Sequence, residues 1–163
     1  MKIPAMLLAV MLPGCGSGTD GVPVPKPMDI GAIVRPSSPN TALAAPAGFT
    51  PTPDVVTPVY DMPPAALFSA IEAVAAAQPR TYRLATFDDR LQVHFVARSA
   101  LFGFPDLIMA QVLPHEEGGR LGSTLVLYSR SVYGQSDLGV NRRRVTAWLA
   151  DLDARRGIAR PPS

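Results

Sequence analysis

"STLVLYSRSVYGQSDLGVNRRRVTAWLADLDARRG" runs from Ser123 to Gly157 and changes its period halfway. Residues 123–132 are rich in Leu, Val and Tyr and read as a strand. From Asn141 onward, Val145, Trp148, Leu149 and Leu152 recur at the spacing of one helical face. Between the two lie Gly, Ser, Asp and Asn, residues that turn a chain and bond its backbone. The stretch therefore predicts a strand, a polar loop and a closing helix. Gly157 is a fitting stop, and Arg155 and Arg156 complement the negative end of the helix dipole.

Outward from this stretch, the pattern repeats the same vocabulary. "DMPPAALFSAIEAVAAAQP" (61–79) predicts a helix, with Asp61 as cap and prolines in the tolerated first turn. Its apolar stripe is Leu67, Ile71, Val74 and Gln78, with Phe68 and Ala75 beside it. Strands follow at 81–87, 91–97 and 106–114, separated by a turn at Asp88-Asp89-Arg90 and by polar loops. In 91–97, Leu91, Val93, Phe95 and Ala97 share one face; Gln92, His94 and Val96 take the other, read as solvent or groove. "HEEGGRLG" (115–122) predicts a hairpin loop. Short connections favour antiparallel pairing. The expected class is α+β: an antiparallel sheet of about four strands, with the N-terminal and C-terminal helices packed on one face. This domain spans 62–157, enough for one core and too little for two.

The first residues carry an address. Lys2 precedes an apolar run, Ile3 to Leu12, too short for the roughly 20 residues that span a bilayer but suited to the centre of a secretory signal. Leu12-Pro13-Gly14-Cys15 resembles a bacterial lipobox, with Pro13 where a small residue is usual. Cys15 is the single cysteine of the chain, so it makes no internal disulfide, and lipidation explains its solitude. The expected division is a lipoprotein signal over 1–14 and a lipid anchor at Cys15. A proline-rich disordered tether fills 15–61 and a disordered tail 158–163. An alternative for the tether is an extended segment wrapped on the domain. The expected location is the bacterial cell envelope, facing the periplasm, with the outer membrane favoured by Gly16 after the cysteine.

The loop from Ser129 to Val145 gathers Arg130, Tyr133, Ser136, Asp137, Asn141 and Arg144. One reading is a clasp, with Asn141 as helix cap and Asp137 paired to Arg130 or Arg144. The other is a ligand pocket, with the planar fork of Arg130 receiving phosphate or carboxylate and Tyr133 covering an apolar part. The block of Ser129, Arg130, Ser131, Gly134, Ser136, Asp137, Leu138, Gly139, Asn141, Arg144 and Val145 resembles the end pattern of a domain-of-unknown-function family, number fourteen-ninety-nine. That resemblance covers about 62–154 and implies a domain without an established activity. Family members often carry paired aspartates after the middle aromatic segment, where this chain has Pro105-Asp106.

Other chemistries are poorly signalled. The net charge is +2, no signature of nucleic-acid binding. His94 and His115 lie far apart with no zinc-ligand spacing, and no metal or cofactor is implied. Ser129, Ser131 or Ser136 with His94 and Asp137 would supply triad types, yet "GQSDLG" lacks the Gly-x-Ser-x-Gly elbow. The expected role is noncatalytic binding of a lipid, another anionic envelope component or an assembly partner. The alternative is a small hydrolase or transferase acting on envelope material. The membrane, through Cys15, is the expected partner; Arg142, Arg143 and Arg144 read as a solvated turn or a contact with an anionic surface.

Overall fold

The computed structural model describes residues 18–134 and 137–155. The signal segment, Cys15, Ser136 and the tail 158–163 lie outside them. The architecture is α+β: two helices and one six-stranded mixed sheet. In chain order the elements are β1 (Thr41–Pro46), β2 (Val55–Thr57), α1 (Pro64–Ala76), β3 (Thr81–Phe87), β4 (Gln92–Arg98), β5 (Pro105–Glu117), β6 (Arg120–Ser131) and α2 (Val140–Arg155). Short 3-10 turns sit at Ile30–Ala32 and Asp88–Arg90. The strand order is β2-β1-β6-β5-β4-β3, with β1 and β2 parallel and all other neighbours antiparallel.

The four expected strands are β3 to β6, in the expected antiparallel register. The hairpin β5–β6 is longer than its sequence suggested. Gly118 and Gly119 both take positive φ, 58° and 76°, so two residues suffice for the turn and the pairing runs out to Glu117 and Arg120. Helix α1 starts on Pro63 without a side-chain cap; Asp61 pairs with Arg120 instead, at 2.8 Å and well exposed. Both helices lay their apolar stripes on one sheet face. Leu67, Ile71 and Val74 of α1 and Val145, Trp148, Leu149 and Leu152 of α2 join Val93, Phe95, Ile108, Leu125 and Leu127 in one cluster. Trp148 meets Phe95 edge-on at 5.7 Å between centroids. Each of these large side chains contributes roughly 1.5–3 kcal/mol by leaving water.

The segment expected as a disordered tether is instead part of the fold wherever it is described. Its run Thr41–Pro46 inserts beside β6, pairing Thr41 with Arg130 and Ala44 with Leu127, and Val55–Thr57 closes the sheet edge beyond it. The reason is legible in the residues: "TALAAP" is small and apolar, and Ala42, Leu43, Ala44 and Ala45 are completely buried. Residues 18–36 then act as a strap across the second sheet face. Met28, Ile30 and Ile33, with Phe49, pack on Leu43, Ala45, Met109, Val126 and Tyr128. His94, expected at solvent or in a groove, is consequently buried.

The strap is fixed at three points. The buried amide of Gln92 reads the backbone of Met28 as a strand would: Met28 N donates to its Oε1 at 2.7 Å, and its Nε2 donates to Met28 O at 2.8 Å. Arg35 pairs with Asp54 at 2.7 Å, and Asp54 also accepts from the Leu43 amide. Arg98 at the end of β4 donates to the carbonyls of Gly18, at 2.9 Å, and of Asp20. Gly18 lies flat on the Tyr82 ring, where a Cβ would meet ring carbons at 2.0–2.2 Å.

Met28 fixes the orientation of the Gln92 amide, so Gln92 Oε1 faces His94 Nε2 as an acceptor at 2.8 Å. His94 Nε2 therefore carries a proton and donates. Burial first, and the nearby Arg130 charge second, lower the His94 pKa from 6.5 to about 4. The unfolded chain takes up this proton before the folded one does. The stabilisation from the neutral ring is thus complete above the unfolded pKa and is lost as pH falls toward the folded one, by up to about 3 kcal/mol. Unfolding midpoints measured between pH 7 and 4 should fall in the native chain and fall less in His94→Gln. Identical slopes for the two proteins would refute this assignment.

Candidate functional site

The strand ends and loops that carry the unusual polar residues converge at one end of the sheet. The register places Arg98 opposite Pro105, Asp106 opposite Ser131, and Thr41 opposite Arg130. Helix α2 begins there. Asp137 Oδ1 accepts from the Gly139 amide at 2.9 Å and its Oδ2 from the Asn141 amide at 2.6 Å. Asp137 is thus the residue that caps α2, and Asn141 is freed for another task.

Asn141 is completely buried. Its Oδ1 accepts from Ser129 Oγ at 2.5 Å and from Arg144 at 2.7 Å. Its Nδ2 donates to Asn40 O and to Ser131 Oγ, both at 2.9 Å. All hydrogen-bonding capacity of the amide is used. Arg144 extends the knot with an ion pair to Asp106 Oδ2 at 2.7 Å, both side chains more than four-fifths buried, and a bond to Ser129 Oγ at 3.1 Å. Asn40 completes it by donating to Gly134 O at 2.7 Å. One amide and one guanidinium thereby join β1, β5, β6, the following loop and α2.

Ser136 lies outside the described residues; the other five residues expected together are separated by this arrangement. Asp137, Asn141 and Arg144 belong to the clasp, on the helix side of the sheet. The partner of Arg144 is Asp106, not Asp137. Tyr133 is exposed, with its ring 6.3 Å from Phe104 in an edge contact. Arg130 projects to the other face, toward the strap. His94 also sits on that face, whereas Ser129 is bonded to α2, so the serine, histidine and aspartate types named above do not converge among the described residues. Asn40 and Asp106 are the participants that motif reading missed, whereas the strap matches the alternative reading of the tether as an extended segment wrapped on the domain. Asn40 announces itself only as the polar residue immediately before the buried run of β1.

Arg130 borders an open cleft of about 560 Å³ between strap and sheet. Its walls include Met28, Ile33, Val34 and Pro36 from the strap and Tyr128 from β6, with Ser38 and Thr41 supplying hydroxyls. Arg130 is exposed and makes no ion pair with an acid among the described residues. Its charge is felt inside: it opposes protonation of His94 and moderates the burial that raises the Tyr128 pKa. An apolar wall with one fixed cation and several hydroxyls can hold an anionic group joined to an apolar body. Among the described residues no cluster of His, Cys, Asp and Glu could hold a metal ion, and no helix is long and apolar enough to cross a membrane.

The clasp makes a direct prediction. Asn141→Ala removes a buried partner from two hydroxyls, a carbonyl and a guanidinium, and should lower stability by about 3 kcal/mol. Chemical denaturation measures this; a loss within error of zero would show that the knot does not hold the helix to the sheet.

No curated protein matches the chain. A family model does, over residues 34–152, under the description "Protein of unknown function (DUF1499)". The matched span starts in the strap, includes β1 and β2, and ends in α2, so it contains every strand and both ends of the clasp. With nearly three-quarters of its length inside that match, the chain belongs to the DUF1499 family.

Proposed function

We propose that the protein is a lipid-anchored component of the bacterial cell envelope whose domain binds, without catalysis, an anionic amphiphile of that envelope. The observation that carries this reading is Arg130: a cation without an acidic partner among the described residues, set at the edge of a largely apolar cleft. Charge-assisted bonds to phosphate or carboxylate suit the planar fork of a guanidinium. The cleft volume suits a headgroup with a short apolar segment. The clasp supports the reading indirectly, because it fixes β6 and hence the position of Arg130.

The anchor rests on the first eighteen residues. A positive start, a short apolar run and Gly14-Cys15 coincide at the spacing of lipoprotein processing. Acyl chains on the single cysteine would hold the domain at a bilayer, each buried methylene adding about 0.8 kcal/mol. The periplasmic face, and the outer membrane in particular, is the location this reading assigns.

Two measurements follow. The full chain should bind pyrene-labelled phosphatidylglycerol more tightly than the phosphatidylcholine analogue. Arg130→Ala should weaken that binding about tenfold or more, as expected for loss of a charge-assisted bond, with an unchanged unfolding midpoint. Equal binding by the variant would remove Arg130 from the site. For the anchor, mass spectrometry of the membrane-extracted chain should find acylated Cys15 at the amino terminus, and Cys15→Ser should abolish acylation. An unmodified thiol on a freely soluble product would end this reading.

A further inference from the structure

We infer that the clasp end of the sheet is a membrane-docking surface, in which the loops after β4 and β6 sit in the headgroup layer of an anionic bilayer. This deepens the anchoring reading above and rests on it.

The surface is apolar where a water-facing loop should be polar. Leu101, Phe102 and Phe104 in the loop after β4 are 81%, 70% and 55% exposed, and Tyr133 and Leu138 after β6 are 65% and 84% exposed. The three aromatics form one group: Phe102 and Phe104 stack at 5.5 Å, and Phe104 meets Tyr133. Aromatic and leucine side chains clustered this way fit the boundary between headgroups and acyl chains. Described residues of both loops carry local backbone ties. Leu138 has a left-handed backbone, φ 53°, beside the Asp137 cap, and the first loop is tied by Ser99, whose Oγ accepts from the Phe104 amide at 3.0 Å.

The charge around this group is complementary to an anionic surface. Arg80, Arg98, Arg142 and Arg143 lie at the same end; Arg143 donates to Leu138 O at 2.8 Å, and Arg98 to Gly103 O at 3.1 Å. The acids Asp106 and Asp137 are committed to Arg144 and to helix amides. Basic residues around exposed aromatics favour an anionic leaflet.

The path of the chain decides between a bilayer and other occupants. The same Arg98 guanidinium that holds Gly103 also holds Gly18 and Asp20. The strap thus brings residue 18 to the aromatic end. Two residues lie between Cys15 and Gly18, and the three steps span at most about 11 Å. A lipid on Cys15 therefore enters the bilayer next to Phe102 and Phe104, and the domain is seated on the membrane rather than suspended from a long leash.

The test uses the full lipidated chain, extracted from membranes and reconstituted in phosphatidylglycerol-containing liposomes with brominated acyl chains. The Phe104→Trp variant places a reporter at the surface, while Trp148, 2% exposed in the core, serves as an internal reference. Flotation with the liposomes, together with loss of most of the reporter's emission to shallow bromines and none from Trp148, supports the inference. Flotation with an unquenched reporter overturns it and leaves the anchor standing. Failure to float overturns both. A reporter unquenched by bromolipid but shielded in proportion to protein concentration assigns the patch to a second copy, and also overturns it. An Arg142→Glu, Arg143→Glu double variant of the reporter protein should reduce quenching without reducing flotation.

Discussion

A sheet with apolar side chains on both faces must be covered twice, and the described residues form only two α-helices. Both are spent on one face, where Trp148 and the leucines of α2 meet the stripe of α1. The second face carries Leu43, Met109, Val126 and Tyr128, and water would reach it without another layer. The strap is the solution, and a proline-rich segment is physically suited to it. Prolines cannot donate to a ladder, so such a chain lies over a sheet without adding strands to it. Its backbone groups must then be satisfied one by one. Gln92 does this for Met28, Arg98 for Gly18 and Asp20, and Arg35 brings in Asp54. The polar residues of the second face are thus holdfasts for the cover; burial and the Arg130 charge keep His94 neutral, and Gln92 Oε1 decides which ring nitrogen carries the proton.

The clasp answers a different problem. Helix α2 leaves β6 through a loop and must return across the sheet at a fixed angle. Apolar packing alone tolerates sliding; a buried amide with four specified partners does not. Asn141 sets the register of α2 against Ser129, Ser131 and Asn40, and the Arg144–Asp106 pair removes the charge that a guanidinium would otherwise bring inside. A buried ion pair of this kind is weak evidence for net stability and better evidence for a single arrangement. Here it is also hydrogen-bonded to Ser129, which is the condition under which such a pair is tolerable.

How much of this could be read beforehand follows from range. Periodicity is local, and it located α1, α2 and β3 to β6, since each has its apolar face written at spacing 3.6 or 2. It also separated Val93, Phe95 and Ala97 from Gln92, His94 and Val96. What it could not supply was the identity of the second cover, because the strap and β1 owe their order to contacts with β4 and β6 far along the chain. Prolines at 51, 53 and 58 and glycines nearby hid the short parallel pair β1–β2. The site residues divide the same way. The block from Ser129 to Arg144 was visible as a polar concentration, and its role as a clasp was one of two open readings. That Arg130 leaves it follows from strand alternation: Ser129 and Ser131 face α2, so Arg130 faces the strap. Asp106 and Asn40 were invisible as partners, since nothing local marks an aspartate after a proline, or an asparagine before a run of alanines, as half of a buried bond.

The strap links features that would otherwise be separate facts. It begins at Arg98 beside the aromatic loops, passes Gln92 at the far end of β4, and returns to form one wall of the cleft near Arg130 before entering β1. Cleft and clasp consequently share Asn40 and Ser131, one through its walls and the other through its hydrogen bonds. The 33–38 wall is held within its own length by the Arg35–Asp54 ion pair, between the fixed points at Met28 and Asn40. The geometry therefore favours a cleft with both floor and wall held in place. Binding an amphiphile there asks for little more than an anionic head for Arg130 and an apolar portion for Ile33 and Val34, and neither demand disturbs the knot that holds the floor in place.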